Sequence, residues 1–113
     1  MSYAGLDATI RSWADKHSLR LYTKWADDLD CRCVYLWSTI GECFQIWITE
    51  PQEACVAVRA ADVVTRDDEE LSADVTVEES MLGNALEDML TNVYGWMKRH
   101  DASATFDVEA LKP

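Results

Sequence analysis

The sequence predicts an α+β domain: an N-terminal helix, a four-stranded antiparallel meander sheet, and a long C-terminal helix packed on the sheet. Three observations predict it. Apolar residues recur at helical spacing near both ends of the chain. They alternate with a period of two between residues 19 and 60, and the breaks between those runs carry turn-forming residues. The 113 residues read as a single α+β domain, 1–113, with 101–113 a polar tail that frays. A hydrophobic content of 49% is enough to build a core.

The first helix is expected over residues 5 to 17, where Leu6, Ile10, Trp13 and His17 form one stripe at spacings of three and four. The first strand, "LRLYTKW" at 19 to 25, alternates Leu19, Leu21, Thr23 and Trp25 with Arg20, Tyr22 and Lys24. "ADDLD" follows as a turn, because Asp hydrogen-bonds its own backbone there. Residues 31 to 38 and 42 to 50 predict a hairpin closed by Thr39, Ile40 and Gly41. A three-residue loop wants a left-handed residue at its end, which Gly41 supplies, whereas a two-residue loop would force β-branched Ile40 to positive φ. This loop pairs Leu36 with Phe44, Val34 with Ile46, Trp37 with Cys43, Tyr35 with Gln45 and Cys33 with Trp47.

"EPQE" predicts the next turn, and "ACVAVRA" a fourth strand at 54 to 60 that continues toward Val64 with a bulge. "DDEELSAD" at 67 to 74 carries five acids and no base, and reads as a solvated loop. The second helix is expected from Thr76 to His100. Thr76 and Glu79 match a capping box, and Lys98, Arg99 and His100 suit the negative end of the helix dipole. "TFDV" in the tail offers one more short strand.

The hairpin is apolar on both faces. Val34, Leu36, Phe44, Ile46 and Ile48 make an aliphatic one. Cys33, Tyr35, Trp37 and Trp47 make an aromatic one, which Leu19, Leu21 and Trp25 are expected to join. A sheet with one solvated face alternates apolar with polar, so this sheet needs cover on both sides. The long helix covers one. The other falls to the first helix, a second subunit or a ligand.

Chemistry is sparse. Cys31 and Cys33, two apart on a strand, have the wrong geometry for a zinc site, whose cysteine pairs are bridged by two to four residues. Cys33 and Cys43 fall four residues apart along the ladder, ~13 Å, too far for a disulfide or a shared ion. Cysteine here reads as a small buried hydrophobe. No phosphate, dinucleotide, metalloprotease or nucleophile-elbow motif occurs, so neither a catalytic set, a metal nor a cofactor is predicted. "DDLD" and "DDEE" lack the rest of a calcium loop.

The net charge of −11 opposes nucleic-acid phosphates and anionic membranes and favours a basic protein partner. No apolar run reaches membrane-spanning length and the N-terminus lacks a secretory pattern, so a cytoplasmic protein is expected. The expected function is a non-enzymatic, acidic protein-binding module that forms a homodimer. In size and charge alone it is similar to immunity proteins, antitoxins and secretion chaperones. The residues expected to bind a partner or ligand are Trp25, Tyr35, Trp37 and Trp47 with Asp67, Asp68, Glu69 and Glu70. The alternative is a small-ligand-binding or enzymatic domain whose pocket is lined by the same four aromatics, with Gln45 or Thr23 as polar groups.

Overall fold

The structure, a computed structural model, describes residues 3–24, 30–66 and 70–107. Its elements are α1 (Asp7–Lys16), β1 (Leu21–Lys24), β2 (Asp30–Trp37), β3 (Cys43–Ile48), β4 (Cys55–Val64), β5 (Ser72–Glu78) and α2 (Leu82–Met97). The sheet order is β1-β2-β3-β4-β5 with every neighbour antiparallel, an up-and-down meander. The predicted architecture holds, with five strands rather than four.

The fifth strand and the helix start are the main corrections. Ser72, Ala73 and Asp74 are part of β5, not of a loop, and Thr76 lies in the same strand rather than at a helix cap. A 3₁₀ turn at Glu79–Met81 leads into α2, which begins at Leu82 and ends at Met97. Ala73, Val75 and Val77 alternate toward the core side, which is ordinary strand patterning. The Thr76-x-x-Glu79 signature matched a cap by composition only.

The hairpin register is the predicted one, Cys33↔Trp47 through Trp37↔Cys43. Gly41 sits at φ +84 and donates its amide to the Ser38 carbonyl at 3.0 Å. The turn from β3 to β4 is tighter. Gln52 and Cys55 exchange backbone hydrogen bonds of 2.8 and 2.9 Å around Glu53 and Ala54, at φ +53 and +63. Two left-handed residues match the right-handed twist of the strands, although neither is glycine and both carry strain.

Both helices pack on one face of the sheet. Ile10, Trp13 and Ala14 of α1 share a single core with Val34, Leu36, Phe44, Ile46, Val56 and Val58, and with Leu82, Leu86, Leu90, Val93 and Met97 of α2. Polar ties hold α1 there. Arg32, on the core face of β2, grips Asp7 through Nε at 2.7 Å and Nη2 at 3.2 Å, with its guanidinium 4.5 Å over the Tyr3 ring. The Arg32 hydrogen bond holds the Asp7 carboxyl below the usual carboxylate range. Lys16 and His17 reach Glu87 of α2.

The other end of the sheet is closed by Glu42, which is fully buried. Its carboxylate takes both guanidinium arms of Arg99, at 2.9 and 2.7 Å, and the Arg66 amide at 3.1 Å. Residues after α2 return to β2. Thr105 accepts from the Thr39 amide at 2.8 Å, and the Asp107 amide donates to Trp37 at 2.7 Å. Phe106, in the predicted "TFDV" stretch, bridges to Ser38.

Candidate functional site

Cross-strand pairing assigns each residue of the second face. One row runs across all five strands as Tyr22, Cys33, Trp47, Arg59 and Asp74. The next holds Tyr35, Gln45, Ala61 and Ser72, and beyond it Trp37 pairs with Cys43 and Cys43 with Val64. The face is therefore divided. Its β1–β3 half is aromatic and its β4–β5 half polar, with Arg59 opposite Asp74. No described helix lies on it.

Tyr35, Trp37 and Trp47 are brought together here, each partly exposed, as the hairpin predicts. Tyr22 joins them, its ring edge-on to Tyr35 at 5.5 Å. The sequence reading missed Tyr22 because it gave this face to Leu21. The observed pairing of Leu21 with Val34 turns Leu21 to the core side and Tyr22 to the aromatic side. Trp25, Asp67, Asp68 and Glu69 lie outside the described residues. Glu70 is exposed on the approach to β5, three strands across from Tyr35 and Trp37.

Cys33 and Cys43 are 0% and 2% exposed although no described helix covers them. Small side chains between Tyr35, Trp37 and Trp47 are shielded by their larger neighbours, so the aromatic half excludes water from its own base. Burial pushes both thiols up to about 11. A thiol there is protonated at neutral pH and a weak nucleophile. All four cysteines are free, and among the described residues no group of three His, Cys, Asp or Glu could hold a metal ion. Cys31, Cys33 and Cys43 are buried and Cys55 is partly exposed. A thiol reagent is expected to label Cys55 first in the native protein, and the other three only on unfolding. Equal labelling of all four by mass spectrometry would contradict the packing of this face.

Charges of both signs border the aromatic half: Asp30 pairs with Lys24 at the β1–β2 end, and Asp30 and Glu50 line one cavity with Cys33 and Trp47. Arg20 lies 5.2 Å from the Tyr22 ring centroid, and Lys24 is exposed at the end of β1. Gln45 donates to the Tyr35 hydroxyl at 3.3 Å. The described acids of this face stand on β5, at Asp74 and Glu78. What the arrangement offers is a partly exposed aromatic surface with a hydrogen-bonded centre.

No protein family, characterised protein or solved structure matches this chain. No described helix is long and apolar enough to cross a membrane.

Proposed function

We propose that this chain is a non-enzymatic protein-binding module that pairs with a second copy through the aromatic half of its open sheet face and presents its acidic surface to a basic protein partner. One observation carries the reading: both helices occupy the same side of the sheet, leaving Tyr22, Tyr35, Trp37 and Trp47 partly exposed on the other. Exposed aromatic patches mark interfaces.

Charge selects the occupant of this patch. In a chain of net charge −11 the aromatic half has Arg20 beside Tyr22 and the Lys24–Asp30 pair at its β1–β2 end, so bases offset acids there and two copies can meet with less repulsion than elsewhere on the surface. A basic partner has no electrostatic reason to choose it and every reason to choose the acidic remainder. Burying each large side chain is worth ~1.5–3 kcal/mol, and several together offset much of the entropy of association. Two-fold pairing is the commonest way to close such a surface.

Sedimentation equilibrium at low and moderate salt tests the first half. A dimer is expected that tightens as salt rises, because screening weakens the repulsion between two acidic chains. Trp37→Ser is expected to shift it to monomer while leaving the thermal midpoint of the fold nearly unchanged. A monomer at micromolar concentrations in both salts would overturn dimerisation through this face. Binding of a basic partner should have the opposite salt dependence, strongest at low salt.

A further inference from the structure

We infer that the outer edge of β5 is a docking site for an extended segment of a partner protein in which basic and apolar residues alternate, added to the sheet as a sixth strand. The inference rests on the proposed binding of a basic partner and places it on the molecule.

The backbone of β5 is half used. Asp62 donates its amide to Leu71, and Glu79 to Ala54, both at 3.0 Å. These two bonds bracket the β4–β5 ladder and fix its phase: Ala73, Val75 and Val77 turn their amides and carbonyls toward β4. Those of Ser72, Asp74, Thr76 and Glu78 turn outward, where no described strand pairs with them. Unpaired edges of this kind template further strands unless charge, proline or a bulge blocks them. β5 has no proline and no bulge in its ladder with β4, and its charges, Asp74 and Glu78, repel an acidic strand but attract a basic one.

What lies beside the edge defines the occupant. On the helix side a groove of about 330 Å³ runs between β5 and α2. Its walls include Val75, Val77, Met81 and Met89, with Asp88 on the rim, and Val75 and Met81 are 38% and 47% exposed. On the open side of the same strand stand Asp74, Thr76 and Glu78. A strand laid along β5 points alternate side chains to these two environments. One set enters the apolar groove and the other meets the two carboxylates. Alternating apolar and Lys or Arg residues satisfy both, and the added strand gains main-chain hydrogen bonds, as in other β-augmentation complexes. A second copy fits poorly. Antiparallel pairing of two β5 edges centred on Val75 would bring the Asp74 and Glu78 carboxylates of both chains onto one face, where like charges repel.

Fluorescence anisotropy with two synthetic octapeptides of identical composition tests this, one alternating Lys and Val, the other with four Lys followed by four Val. The alternating peptide is expected to bind roughly tenfold or more tighter, because only it sends its valines into the groove and its lysines to the carboxylates while its backbone pairs with β5. Thr76→Pro removes an outward amide while leaving the β4 ladder intact, and is expected to abolish that preference in a protein whose circular dichroism is unchanged. A double Asp74→Lys, Glu78→Lys variant should weaken the alternating peptide by a similar factor and reverse its salt dependence. If both peptides bind equally to wild type and to Thr76→Pro, strand addition is overturned while binding of basic partners stands. If neither binds at low salt, both readings fail.

Discussion

Glu42→Gln is expected to lower the stability of the protein by about 3 kcal/mol, seen as a fall in the urea midpoint with an unchanged slope. The carboxylate is fully buried and its two oxygens receive three donors, two from Arg99 and one from the Arg66 amide. A glutamine amide offers one acceptor oxygen and sets an NH₂ against one of those donors. The Arg99 guanidinium, only 17% exposed, then loses its counter-charge. Replacing Glu42 and Arg99 together by Met should recover much of the loss, because the penalty comes from an uncompensated buried charge. Acid has the same target. The Arg99 hydrogen bonds hold the Glu42 carboxyl below its ordinary value of 4.5. The folded state therefore binds this proton less readily than the unfolded chain, and the stabilisation is complete above pH ~4.5 and fades as pH falls through the depressed folded value. Glu42→Gln should flatten that acid limb. An unaltered limb would mean that Asp7 and Glu87, whose carboxyls are also held low by Arg32 and Lys16, dominate it.

Phe44→Ala is the second large effect, about 3–5 kcal/mol by the same measurement. Phe44 is fully buried on the helix face of β3, paired with Leu36. Its ring lies 5.8 Å from that of Trp96 and 5.9 Å from the Arg99 guanidinium. Truncation opens a cavity under the last turns of α2 and removes the surface against which Arg99 is held. The Phe44→Ala and Glu42→Gln losses should therefore not add, since both act through Arg99. Trp37→Ser, on the opposite face of the neighbouring strand, should cost the isolated fold far less. A loss at Trp37 as large as at Phe44 would show that the aromatic half is core and not surface.

The hairpin was legible because its information is local. Gly41 fixed the loop, the loop fixed the register, and alternation then fixed both faces. β5 was hidden because edge strands carry polar residues on their exposed side. Asp74, Thr76 and Glu78 made "SADVTVE" look like an acidic loop running into a helix cap, although Ala73, Val75 and Val77 kept a period of two. The side chosen by α1 depends on tertiary pairs that no periodicity contains, Asp7 with Arg32 and Lys16 with Glu87, separated by 25 and 71 residues. Of the candidate site, Tyr35, Trp37 and Trp47 could be read from the hairpin. Tyr22 could not, because assigning it needs the pairing of β1 with β2 across a register shift.

The meander has a consequence for the order in which the molecule assembles. Each seam of the sheet joins segments adjacent in the chain, so hairpins can close one after another with little loop entropy to overcome. α1 is the exception. It belongs to the same core as α2, yet about 80 residues separate Lys16 from Met97, which a ribosome takes on the order of ten seconds to add. For that interval Ile10 and Trp13 have no α2 to lie against, and the growing sheet displays its aliphatic face together with the aromatic half of the other. The nascent chain is thus at its stickiest until α2 forms and covers the aliphatic face.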